Sequence, residues 1–155
     1  MKKFAASAFF ISTLALGMTV AMAAEDPIAS RQAIMKTVGT ATKASAQMIK
    51  GQAPFDAIKA ELAMRALNAA AISVVKFFPK GSEKGGDTQA SPKIWQDMKG
   101  FLAAAKRLEQ VSAVGIEAVK GGENPFAEDD FKEVFNDLVK TCKGCHQDYR
   151  IEKQK

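Results

Sequence analysis

Reactive side chains are scarce in this 155-residue chain, which has two cysteines, one histidine, one tryptophan and one tyrosine. Two cysteines cannot build the disulfide framework of a small secreted scaffold. A structural zinc site wants four good ligands, and two thiols with one imidazole leave it short. A single histidine, with no acid–base pair near it, offers little for catalysis, so an enzyme is not expected. No stretch alternates apolar and polar residues as a half-buried strand would. The formal charge of +5 is small. Bases alternate with acids along the chain and lack interleaved aromatics, which argues against nucleic acid as a partner.

Long apolar runs are missing too, except at the start. Met1, Lys2 and Lys3 precede an uncharged stretch from 4 to 24, broken by Ser7, Ser12, Thr13, Gly17 and Thr19 and ending in Ala21-Met22-Ala23. A short basic start, a short apolar core and small residues before a cleavage point describe a secretory signal peptide over residues 1–23, with a mature domain over 24–155. Export places the protein in the periplasm, with no membrane span in its mature form. Loss of Lys2 and Lys3 takes two units from the formal charge.

The remainder reads as four amphipathic helices. Asp26-Pro27 supplies a cap and a proline at the first turn, and Gly51 closes a helix whose inner stripe is Ile28, Arg31, Met35, Val38, Thr42, Ser45 and Ile49. A second helix is predicted from Pro54 to Phe78 with Phe55, Ile58, Leu62, Ala66, Ala69 and Ile72 inward. Residues 79 to 91 are turn formers and make the main crossover. Ser91-Pro92 opens a third helix, through Ile94, Trp95, Met98, Phe101, Leu102, Ala105, Leu108, Ser112, Gly115, Ile116 and Val119 to Gly121-Gly122. After Asn124-Pro125, a fourth turns Phe131, Val134, Phe135, Leu138, Cys142, Cys145 and Tyr149 inward. The fold class is all-α, an antiparallel up-down-up-down four-helix bundle. Met64, Met98 and Trp95 read as packing residues.

Both cysteines and the only histidine fall together, in Cys142-Lys143-Gly144-Cys145-His146. This is the C-x-x-C-H pattern of c-type haem attachment, in which two thiols add across the haem vinyls and the adjacent imidazole ligates iron. On a helix the three side chains stand at i, i+3 and i+4 and share a face. A thioredoxin-like dithiol would sit at a helix N-terminus, and this pair lies late in an amphipathic pattern. A disulfide between the two would close too small a loop to stabilise much and would leave His146 unexplained. The expected cofactor is one covalent haem c, bound near the C-terminal helix.

With that motif near the C-terminus and Tyr149-Arg150 after it, with Arg31-Gln32-Ala33-Ile34-Met35-Lys36 in the first helix, and with Ser91-Pro92-Lys93-Ile94-Trp95 opening the third, the chain resembles the class II c-type cytochromes. These include cytochrome c prime and its low-spin relatives. The resemblance implies that Cys142 and Cys145 hold the haem, that His146 is the proximal ligand, that Arg31 pairs with a haem propionate, and that Met35 faces the distal side of the iron. If Met35 ligates, the metal ligands are His146 and Met35 and the protein transfers single electrons to redox partner proteins. If it only covers the iron, the centre is five-coordinate and binds nitric oxide or carbon monoxide. Met35-Lys36 and the Ser-Pro-Lys-Ile-Trp stretch match the low-spin relatives and Arg31-Gln32 matches cytochrome c prime. The first reading is the expectation carried forward. In related bundles the first two helices can form a homodimer face, although alanine-rich surfaces occur in monomers as well.

Overall fold

Asp26 starts the first long helix as the sequence predicts. Its carboxylate accepts from the backbone N–H groups of Ile28 (2.8 Å) and Ala29 (3.3 Å), Pro27 occupies the first turn, and α1 runs over Pro27–Ile49. Gly51, at φ +67°, ends it in the left-handed conformation that L side chains resist. The structure is a computed structural model describing residues 26–122, 124 and 127–152, so the leader expected at 1–23 and the helix-opening Pro125 lie outside the described residues.

Four long helices and one short one follow from the remaining caps and breaks. Helix α2 is Ala57–Val74, capped by Asp56 and tightening into a 3₁₀ turn at Val75–Phe77 before Pro79. Helix α3 is Lys93–Gln96, α4 is Met98–Val119 and α5 is Ala127–Tyr149. The long helices form an antiparallel four-helix bundle in which α1 packs on α2, α2 on α4, and α4 on α5, while α1 and α5 barely touch. That last seam decides where the site lies.

Two expectations need correction. The single third helix is broken at Asp97, whose backbone leaves helical geometry (φ −129°, ψ 57°) and whose side chain caps α4 through the N–H of Gly100 (3.0 Å). The local gain of a cap outweighs continuity. On α2 the inward stripe was misplaced: Ile58, Leu62 and Ile72 are 61%, 61% and 49% exposed, and Ala69 is exposed too. Ala60, Ala63, Met64, Leu67, Ala70, Ala71 and Val74 are buried instead. Apolar residues surround α2, so periodicity alone does not choose its face, and a helix pressed between α1 and α4 favours small side chains where backbones approach. Leu102 on α4 is likewise exposed.

Elsewhere the pattern holds. Phe131, Phe135 and Leu138 of α5 meet Met64, Leu67 and Val119 in the main core, with Phe55 stacked 5.9 Å from Phe131. A second cluster, Ile94, Phe101 and Tyr149 with Phe78, Trp95, Met98 and Cys145, closes the other end.

Candidate haem site

The last two turns of α5 carry Cys142, Cys145 and His146, and all three side chains line a cavity of about 770 Å³ that opens along the seam between α1 and α5. Such a volume lies in the range of small-molecule and cofactor sites. Its walls are largely apolar: Ala71 and Val74 of α2, Phe78, Ile94, and Phe101, Ala105 and Leu108 of α4. From the facing helix, Met35 lines the same cavity, one turn from Arg31 and one from Gly39. The five residues singled out from sequence therefore share one cavity wall system, although they are more than a hundred positions apart.

Both cysteines are free thiols, half-buried, with titration pushed above the ordinary thiol range by burial, and for Cys145 also by Cys142 and Asp148. A redox-active dithiol shows the opposite shift, at the other end of a helix. Burial, and then the charge of Arg150, lowers the His146 pKa, so the imidazole is held neutral and able to donate a lone pair to metal. Two protonated thiols and one neutral imidazole, one helical turn apart and facing an apolar cavity of this size, fit a covalently attached haem.

Arg31 is buried and does more than the sequence suggested. Its guanidinium donates to the carbonyl of Phe77 (2.9 Å), the hydroxyl (3.0 Å) and carbonyl (2.7 Å) of Ser82, and the hydroxyl of Thr88 (2.7 Å). It lies over the rings of Phe78 (4.8 Å) and Trp95 (5.7 Å). Gln32 adds a bond to the carbonyl of Gly86 (2.8 Å), and the Trp95 indole N–H reaches the carbonyl of Pro79 (3.2 Å). Arg31 thus clasps the crossover onto the cavity rim, with its pKa lowered by burial. We expect Arg31→Ala to cost about 2 to 4 kcal/mol in urea denaturation, because it strands several buried acceptors at once. Arg31→Lys should recover little of this, since one ammonium cannot replace a planar fork.

Residues that sequence reasoning passed over latch the far wall. Tyr149 donates its phenol to Asp97 (2.8 Å), and a side chain on Gly100 would run into both groups. Tyr149 also carries backbone pairing from its carbonyl to Ser91 N–H (3.0 Å), next to the bridge between Ala90 and Arg150. The hydrogen bond to Asp97, with burial and that carboxylate's charge, pushes the phenol up to about 12. The folded pKa is raised, so this contribution to stability is fully present below the ordinary phenol value near 10 and is lost as pH climbs through about 12. With one tyrosine in the chain, ultraviolet difference titration should show a single late transition, returning toward the ordinary value in Asp97→Asn. The spacing of Asp97, Gly100 and Tyr149 holds no local signal for this latch, because the partners come from different helices.

A helical bundle whose last helix turns C-x-x-C-H into an apolar cavity defines a class, the haem-binding bundle. The comparisons are specific about which. The family model described as Cytochrome C' matches residues 26–150. The chain is 35% identical over 138 residues to cytochrome c' of Rhodopseudomonas palustris, covering 89% of this chain and 90% of that one. It is 33% identical over 126 residues to cytochrome c-556 of Agrobacterium tumefaciens, covering 80% and 94%. The solved cytochrome c' from Rhodopseudomonas palustris superposes with a TM-score of 0.76 at 34% identity, over 84% of this chain and 99% of its own. The chain belongs to the cytochrome c' family, and its cofactor is a covalent haem c.

Proposed function

We propose that the mature protein is a periplasmic five-coordinate haem protein, in which Cys142 and Cys145 carry the haem, His146 ligates it, and Met35 covers an iron face open to nitric oxide or carbon monoxide. The observation that carries this reading is the cavity itself, with the attachment residues and the only histidine on α5 and, on the α1 side, no second imidazole or thiolate to ligate iron, Met35 being the one soft donor there. Membership of the cytochrome c' family supports the open coordination state over the Met-ligated one expected from the sequence. No described helix is long and apolar enough to cross a membrane.

When bound, the haem supplies an iron that changes by one electron and takes a diatomic ligand at its free position. The chain's residues set the conditions. His146 is kept neutral for ligation. Met35, Phe78, Phe101 and Leu108 give the cavity an apolar lining, which would disfavour water and not penalise an uncharged gas. Arg31, already oriented by Ser82 and Thr88, is the lining residue suited to a haem carboxylate. The α1 backbone from which Met35 projects is tied down by the Asp26 cap and by Arg31.

Met35 lines the same cavity as His146 from the opposite helix, which keeps electron transfer through a Met35/His146 pair as the second reading. The visible spectrum of the reduced holoprotein separates them. Broad high-spin bands with rapid carbon monoxide uptake are expected. Sharp low-spin bands, with a weak far-red sulfur-to-iron band on oxidation, would transfer the assignment to the second.

A further inference from the structure

Bases that are dispersed along the sequence are gathered by the fold at one place. Lys36 and Arg150 line the cavity mouth from opposite sides of the α1/α5 seam. Lys43 stands two turns beyond Lys36 on the same face of α1, with the cavity-lining Gly39 between them. Lys143 lies on α5 seven residues before Arg150, which directly follows the helix, with His146 between them. All four side chains are exposed.

Their partners, or lack of them, set them apart. On other faces Lys59, Arg65, Lys106 and Lys140 each pair with a carboxylate at i±3 or i±4. Among the described residues, Lys36, Lys43 and Lys143 form no ion pair, and the Arg150 guanidinium donates to the neutral Gln89 (3.0 Å) and to no carboxylate. The acids nearby are Asp87, which lines the cavity, Asp148, which is committed to Lys93 (2.9 Å), and Asp26 and Glu83, whose charges act on Arg31. Unpaired charges of one sign around a cleft project a field that paired ones cancel, and added salt screens it.

We propose that this basic rim is the docking surface for an acidic face on a partner protein, a one-electron donor that reduces the haem. The inference rests on the reading of the cavity as the haem site. One electron leaves the partner's reduced centre, which is oxidised by one equivalent, and ferric iron in the cavity becomes ferrous; no bond to the partner forms and no proton need move. Ferrous iron is the state that takes up carbon monoxide, so a donor is also required by the gas-binding chemistry. An acidic protein is favoured over nucleic acid because the patch is confined to a cavity mouth and carries no stacking aromatics. It is favoured over a membrane because electron delivery needs a redox centre brought up to that mouth.

The experiment follows oxidation of the ferrous holoprotein by hexacyanoferrate(III), an anionic one-electron probe, against the cationic tris(phenanthroline)cobalt(III). The rate with the anion should fall steeply with added salt. In Lys36→Glu/Lys43→Glu it should drop about tenfold at low salt while the rate with the cation rises. Lys59→Glu/Lys120→Glu changes net charge equally at the other end of the bundle and should leave both rates nearly unchanged. Poly-L-glutamate should bind the wild type in isothermal titration calorimetry and slow its oxidation by hexacyanoferrate(III), and should do neither with the rim variant. Equal effects of the two variant pairs, or no salt dependence, would overturn the proposal. So would phosphatidylglycerol vesicles that inhibit as strongly as poly-L-glutamate, which would assign the rim to a membrane surface. Failure of the haem reading looks different: the purified protein would lack covalent haem before any rate is measured.

Discussion

Replacing Cys142 and Cys145 together by alanine should yield a protein without retained haem, while the wild type, produced with haem-maturation machinery, keeps its colour through denaturation and acid-organic extraction. The two thiols lie one helical turn apart on α5 and face one cavity, so both can bond a single porphyrin edge without moving the backbone. Without them, only contacts with the walls and the His146 ligand hold the group, and unfolding dissolves both. The double variant should also be markedly less stable. A cavity of about 770 Å³ lined by Val74, Phe101 and Leu108 stays unfilled when its occupant is not retained, and each lost packing contact adds to the deficit. Thermal unfolding followed by circular dichroism should show this as a lower and broader transition. Release of haem from the denatured wild type would remove the covalent assignment.

The second large effect is expected at Met35. In a five-coordinate protein Met35→Ala removes a cover and not a bond. The spectrum should stay high-spin, and carbon monoxide association should rise by about tenfold, the equivalent of roughly 1.4 kcal/mol less steric and dehydration cost at the distal face. Met64→Ala and Met98→Ala should leave the gas kinetics alone. Met64 is fully buried between α2 and α4, and Met98 packs behind the cavity wall, and neither lines the cavity, so each change costs stability first. A low-spin wild type that becomes high-spin in Met35→Ala would instead establish sulfur ligation and the electron-transfer reading.

Much of this molecule is legible before folding because its signals are local. Asp26-Pro27 and Gly51 mark α1 through caps that need only neighbouring backbone, and the structure keeps both. The C-x-x-C-H spacing states its chemistry within five residues, since a helix turn alone brings positions 142, 145 and 146 to one side. The α5 stripe of Phe131, Phe135 and Leu138 was readable for the same reason: polar residues flank it strongly enough to choose the buried face.

Where composition was uniform, the reading went astray. The alanine-rich α2 offers apolar residues on all sides, and which of them face inward depends on how closely α1 and α4 approach, which is not a property of the α2 sequence. The same holds for Asp97, a helix interior position by pattern and a helix start by its hydrogen bonds to Gly100 and Tyr149. Arg31 was recognised as a site residue, yet its clasp on Ser82 and Thr88 joins positions 51 and 57 apart, beyond any periodic signal.

By itself the sequence determined the helical class, the haem-attachment residues and the histidine beside them, because each depends on the spacing of residues within a turn or two. Tertiary structure alone decided the buried face of α2, the break at Asp97, the locking of the crossover by Arg31, and the meeting of Lys36 and Arg150 at one cavity. Those outcomes depend on which helices lie side by side and how close they come, and packing between distant segments settles that only once the whole chain has folded.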